Sequence, residues 1–254
     1  MGEHLFPEIN LFGIPGLRLN LTVALMSIVA SVIVALIALA AVRRLDMRRP
    51  SGMQNFFEMI VDFIRGLAAD TVGPKHAETW LPLGATLFVW LFVSNQMGLI
   101  TNITAHLQHG FGIEKEGHYS FWMSPTADFT VAMTMGVTMV LLSHLVGLTR
   151  PGEYFKHWVS PNVFMLPLHL VEELPKFLTL GLRLFGNIFA GEVLLGILVG
   201  MPLQMGWVPG VAAGSIPMFI WLAYSLFVGT VQAFVFTVLT LVYIGQKIPH
   251  GEHH

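Results

Sequence analysis

Between Leu19 and Val42 the chain carries no ionisable side chain, and it then meets four arginines, Arg43, Arg44, Arg48 and Arg49. A bilayer core about 30 Å thick is crossed by roughly 20 apolar residues in a helix. Lipid leaves no partner for unpaired backbone, so such a stretch must be helical. The pattern recurs: Trp80 to Ile100 is uncharged, Asp128 to Leu148 follows a Ser-Pro start, Phe177 to Gly200 is apolar around Arg183 and Glu192, and Ser215 to Gly245 has only tyrosines as ionisable groups. Charged residues make up 11% of the 254 and hydrophobic ones 54%, whereas a soluble domain is about 25% charged. The expected fold class is an all-α integral membrane protein with about five transmembrane helices.

The expected layout is one membrane domain over 1–254. A first span covers 19–42, an amphipathic helix 51–70, a helical hairpin 80–108 and 125–149, and a long hairpin 161–200 and 213–246. In the second of these, Met53, Phe56, Phe57, Ile60, Phe63, Ile64 and Leu67 recur at helical spacing, opposite Glu58, Asp62 and Arg65; a helix of that kind is expected to lie in the membrane interface, the alternative being an amphipathic helix packed on protein. Ser124 is expected to cap the helix that Pro125 opens, with Asp128 as a favourable charge in its first turn. The last two helices are too long to stand upright. At 1.5 Å per residue, 161–200 extends about 60 Å, so it must tilt or kink, and its return loop is expected near Pro202 to Pro209.

Basic residues flanking spans stay on the cytoplasmic side. Threading the chain from the first arginine cluster puts Arg43, Arg44, Arg48, Arg49, Arg65, Lys75, Arg150, Lys156 and Lys247 inside, and only Arg18 and Lys115 outside. The N-terminus is therefore expected to be external and the C-terminus cytoplasmic.

Several function classes drop out. The chain has no cysteine, which excludes disulfides, thiolate nucleophiles and Cys-ligated metals. A net charge of −2 offers no basic footprint for nucleic acid, and no phosphate-binding glycine loop occurs. His169 to Glu173, "HLVEE", has Glu173 where a zinc-protease motif needs its second histidine. No metal or cofactor is expected, and an acidic vestibule built from His169, Glu172 and Glu173 fits better, with Lys176 pairing with Glu172.

The charges at 183 and 192 sit in oil for a reason. At 100° per residue, His169, Glu172, Lys176, Arg183, Asn187 and Ala190 fall within about 40° of one direction and make one polar stripe. Glu192 lies about 180° around and about 13.5 Å along from Arg183, out of reach of an intrahelical bridge. Arginine cannot discard its proton, and an unpaired charge at mid-membrane costs at least about 2.5–3.5 kcal/mol. No carboxylate of this chain is an obvious mate at that depth, so a counter-charge on another subunit is expected. Opposite charges 4 Å apart at an effective dielectric near 20 attract by about 4 kcal/mol. An acid arriving from lipid would be driven to ionise, and a carboxylate on another face could exchange that proton by a separate water path.

The segment "LGLRLFGNIFAGE" resembles the signature of subunit a of the F-type ATP synthase, and "SPTADFTVAMTMG" and "GTVQAFVFTVLTLVYIG" resemble its neighbouring segments, so the likeness runs from about Trp80 to Gly245. The resemblance implies a non-catalytic subunit in a bacterial plasma membrane. It would grip a ring of c-subunit hairpins, contact the subunit b peripheral stalk and other ATP synthase subunits, and conduct protons through two offset half-channels. Arg183 then corresponds to the arginine separating the half-channels, Asn187 lines the same interface, Glu192 belongs to the outer half-channel, and Gln232 lies opposite the arginine. Two positions depart from the pattern. Ser225 stands where many members carry histidine, and Gly98 where many carry an acid, so proton entry is expected to rest on Asn95, Asn102 and His106 along one helix face. A self-contained proton-coupled transporter is the alternative, but it would show repeated halves with matching broken helices, and none is apparent.

Overall fold

Asn20 sets the start of the first span. Its Oδ1 accepts from the backbone N–H of Thr22 (3.1 Å) and of Val23 (3.3 Å), the side-chain cap that satisfies donors with no intrahelical partner, and α1 runs Leu21–Val42. The computed structural model describes residues 4–5, 8–10, 18–43, 52–100, 104–107, 117–120, 122–159, 162, 164, 166–205 and 207–248. Beyond α1 it contains α2 (Gly52–Val72), α3 (Pro74–Ile100), α4 (Phe129–Gly147), α5 (Pro151–Val159), α6 (Leu166–Met205) and α7 (Trp207–Lys247). Among the described residues, five helices are long and apolar enough to cross a membrane: α1, α3, α4, α6 and α7. The described strands are two to four residues long, β1 (His4–Leu5), β2 (Glu8–Asn10), β3 (Arg18–Asn20), β4 (Thr104–Leu107) and β5 (Gly117–Ser120). They form one sheet in the order β1-β5-β4 and one antiparallel β2-β3 pair.

The chain forms two compact units. The first comprises Met1–Ala35, Trp90–Asp128 and Gly186–Val231. It holds the start of α1, the end of α3, the strands, the end of α6 and the start of α7. Met26, Ala30 and Met97 form a core with Trp90 and Trp122 packed on it. Both indoles are satisfied: Trp90 Nε1 donates to Ser31 Oγ (3.1 Å) and Trp122 Nε1 to the Met97 carbonyl (2.9 Å). Ser27 and Ser31 return their hydroxyls to carbonyls one turn back, so an apolar helix carries them without a buried unpaired group.

The second unit comprises Leu36–Val89, Phe129–Phe185 and Gln232–His254. Ala68 and Val72 of α2, Ala77 of α3 and Leu241 and Ile244 of α7 make its core. Gly73 turns the chain between α2 and α3 with φ of 84°, a left-handed conformation open to glycine. Where α4 meets α6, Gly136 and Gly181 face each other: a Cβ on Gly136 would lie 2.9 Å from the Gly181 nitrogen, and one on Gly181 would lie 3.0 Å from Met133 Cα.

Several expectations are corrected. Helix α3 begins at Pro74 rather than near 80, because proline is pre-organised for a first helical position and a helix need not start where its apolar run does. It ends at Ile100, and 104–107 is a strand, so the helical reading of 80–108 fails at its end. Ser124 makes no side-chain cap; a short 3-10 turn, Pro125–Ala127, intervenes, and Asp128 precedes α4 instead of lying in its first turn. The expected loop at 202–209 is mostly helix, since α6 continues to Met205 and α7 starts at Trp207. Pro209 sits in the first turn of α7, where its missing N–H is an orphan in any case. The amphipathic segment is a helix as expected, α2, and it packs by one edge, with Ile64 and Ala68 fully buried and the Phe63 ring 5.7 Å from that of Phe234, while Phe56 and Met59 stay exposed.

Candidate functional site

The candidate residues fall into two groups, one in each unit. In the second unit α6 carries Arg183, whose side chain is exposed. Among the described residues none makes a hydrogen bond or an ion pair with it. The other charges on α6 are partnered. Glu172 lies 3.7 Å from His169 Nδ1. Glu173 is the hub of a half-buried cluster: its Oε1 accepts from Lys247 Nζ of α7 at 2.5 Å and from Lys176 Nζ at 3.0 Å, and its Oε2 is 3.6 Å from His144 Nε2. Lys176 thus pairs with Glu173, not with Glu172 as spacing suggested, and also donates to Gln246 Oε1 at 3.1 Å. Lys247 is 6% exposed and stacks over the rings of Trp158 (5.3 Å) and Tyr154 (5.9 Å) of α5. Tyr154 Oη meets His144 Nδ1 at 2.9 Å, and burial pushes the Tyr154 phenol above its ordinary pKa. Gln232 on α7 is buried, at 3% exposure.

In the first unit Glu192 of α6 borders a cavity of about 170 Å³ together with Asn95, Asn187, Trp221, Tyr224 and Ser225. Glu192 Oε1 accepts from the backbone N–H of Ser124 at 2.8 Å. Ser225 Oγ is buried and has no hydrogen-bond partner among the described residues, a hydroxyl presented to a space large enough for water. Trp221 Nε1 donates to the Gly191 carbonyl (3.2 Å), fixing α7 against α6 at this level. Asn95 is fully buried with both polar atoms engaged: Nδ2 donates to the Gly229 carbonyl (3.0 Å) and Oδ1 accepts from Thr126 Oγ1 (2.8 Å).

The expected face of Asn95, Asn102 and His106 is not formed. His106 is on β4, opposite His118 of β5, so it cannot continue the helical phase of Asn95; Asn102 lies outside the described residues. Asp128 is half-exposed at the end of the 3-10 turn. Three participants were not singled out from sequence as functional. Ser124 acts through its main chain, which no side-chain pattern reveals, whereas Lys247 had a faint signal as the cation in the last turn of an apolar helix and Tyr154, inside the short polar helix α5, had none.

The sequence profile of the family described as ATP synthase A chain matches residues 24–245. The chain belongs to the ATP synthase A chain family. Its relatives include ATP synthase subunit a of Bacillus subtilis (strain 168), 46% identical over 244 residues, which covers 92% of this chain and 95% of the relative. The subunit a of Bacillus velezensis is 44% identical over 257 aligned positions, 98% of this chain and 99% of the relative, and that of Listeria monocytogenes is 42% identical over 251, covering 97% and 98%. Membership is therefore of the whole chain and accords with the five spanning helices of a multi-pass bacterial membrane protein.

Proposed function

We propose that this member of the ATP synthase A chain family is the non-catalytic stator of a proton-driven rotary motor, holding two offset aqueous half-channels against a ring of c-subunit hairpins. The observation that carries the proposal is Arg183, a permanent cation on an apolar helix, exposed and without a counter-charge among the described residues of its own chain. An exposed guanidinium facing hydrocarbon alone is costly. An acid on each passing hairpin supplies the missing charge, and at an effective dielectric near 20 a separation of 4 Å is worth about 4 kcal/mol toward ionising it. Each hairpin gives up its proton on meeting Arg183 and regains one beyond it, so the arginine also keeps the two water paths from joining.

In this scheme Glu192, Ser225 and Asn95 serve the outer half-channel, with Asn187 on the rotor-facing side and Asp128 and His106 toward its mouth. Bridging water joins Glu192 to the Ser225 hydroxyl, because a hydroxyl cannot hold a proton charge as imidazolium does. His169, Glu172 and Glu173 serve the inner half-channel, and Gln232 steadies the arginine level from α7. The N-terminus lies outside and the C-terminus in the cytoplasm. The excess of arginine and lysine on one side of the spans supports that orientation, and two pairings fit the threading: β1 pairs with β5, and Lys247 near the end of α7 pairs with Glu173 near the start of α6. ATP chemistry resides on other subunits, and subunit b braces this one against rotation.

The test is proton pumping driven by ATP in vesicles holding the complete complex. Arg183→Ala should abolish coupled pumping while the complex still assembles. Pumping at the unmodified rate would remove Arg183 from the mechanism.

A further inference from the structure

We propose that Gly98 of α3 is a positioning residue for Glu192, its missing side chain being the slot in which the carboxylate sits. A Cβ built on Gly98 would lie 2.1 Å from Glu192 Oε1 and 3.1 Å from Glu192 Cδ, so a methyl group and the carboxylate exclude each other. The slot is closed on its other side by Ser124, whose backbone N–H holds the same oxygen at 2.8 Å. Ser124 is itself anchored, its Oγ donating to the Ser94 carbonyl at 2.7 Å. Absence of a side chain at 98 and an anchored main-chain donor at 124 together fix where Glu192 presents its charge to the cavity.

The atom in conflict is the far end of a flexible side chain. Alanine at 98 is therefore met by displacing the Glu192 carboxylate, with a shift of a few tenths of an ångström at Ser124 Cβ, 3.0 Å away, and the helices need not separate. What is lost is the placement of the acid and its charge-assisted hydrogen bond to Ser124. Aspartate, one methylene shorter, withdraws its carboxylate from the methyl. Glu192→Asp should therefore impair the chain that has Gly98 and improve the chain that carries Gly98→Ala.

The inference rests on the proposed role of Glu192 as a proton carrier. Four forms of the complete complex, unmodified, Glu192→Gln, Gly98→Ala and Gly98→Ala with Glu192→Asp, are compared by ATP-driven proton uptake per assembled complex. Expected are a large loss in Glu192→Gln, a loss of roughly tenfold in Gly98→Ala, equivalent to about one charge-assisted hydrogen bond, and recovery of several-fold in the double variant. Normal uptake in Glu192→Gln would overturn the role of Glu192 and this inference with it. Impaired uptake in Glu192→Gln with normal uptake in Gly98→Ala would overturn the inference alone. So would a loss in Gly98→Ala that aspartate does not relieve, since that pattern marks packing damage.

Discussion

The Gly136–Gly181 contact gives the most quantitative expectation. Adding a methyl at 136 places it 2.9 Å from the Gly181 nitrogen, 3.0 Å from the Phe177 carbonyl oxygen and 3.2 Å from Gly181 Cα. All three are backbone atoms, which cannot rotate aside. Non-bonded heavy atoms settle at about 3.5 Å or more, so α4 and α6 must part by roughly 0.5 Å. Overpacking of this kind costs about 1–3 kcal/mol. Gly181→Ala differs in a useful way, because its shortest contact, 2.6 Å, is to the flexible Met133 sulfur, with Met133 Cα behind it at 3.0 Å. Met133→Ala should therefore rescue part of the loss in Gly181→Ala and none of that in Gly136→Ala. The assay is the thermal denaturation midpoint of each detergent-solubilised variant, followed by proton pumping after assembly, because Arg183 stands two residues beyond Gly181 on the displaced helix. Unchanged midpoints in Gly136→Ala, or equal rescue of both variants by Met133→Ala, would refute the reasoning.

Other expectations concern the Glu173 cluster. Glu173→Gln leaves Lys247, only 6% exposed, without its charge partner; breaking a buried pair from one side costs about 3–5 kcal/mol, and the denaturation midpoint should fall by about 10 °C. Replacing Glu173 and Lys247 together by apolar residues should cost less than Glu173→Gln alone, and the reverse order would contradict a buried pair. The Tyr154 phenol titrates above its ordinary value of 10.0 because burial disfavours the phenolate. Its contribution is complete below pH 10.0 and disappears as pH rises through the higher folded value. A stability profile into alkaline pH should show that loss in the unmodified chain and lack it in Tyr154→Phe, whose neutral-pH stability is lower by about 1 kcal/mol.

Spanning helices were legible because one physical quantity, an apolar run about as long as the bilayer is thick, decides them, and α6 keeps that length of run around Arg183 and Glu192. Their ends were less so. The start of α3 lies in a polar stretch, Lys75 to Glu78, and rests on Gly73 and Pro74. The end of α6 passes through a segment whose proline and glycine content suggested a loop. Arg183 could be singled out because its protonation is fixed whatever surrounds it, and among the described residues no carboxylate pairs with it. The partner of Lys176 was not legible: Glu172 and Glu173 are equally accessible by helical spacing, and the choice is made by Lys247 and His144 arriving from α7 and α4. Gly98 could be noted only as a departure from the family pattern, since a side chain that is absent leaves no mark in sequence showing what fills its place.

The central claim is that Arg183 finds its counter-charge on a neighbouring rotor. Gly186, one turn along α6, is exposed and has open space around its Cβ position, and the chain has no native cysteine. Gly186→Cys in native membranes, combined with a single cysteine placed one helical turn from the carboxylate of the ring hairpin, should give a disulfide-linked adduct of the two chains on oxidation. A Gly186→Cys thiol that is accessible to a small apolar maleimide yet forms no adduct with any ring position would contradict it.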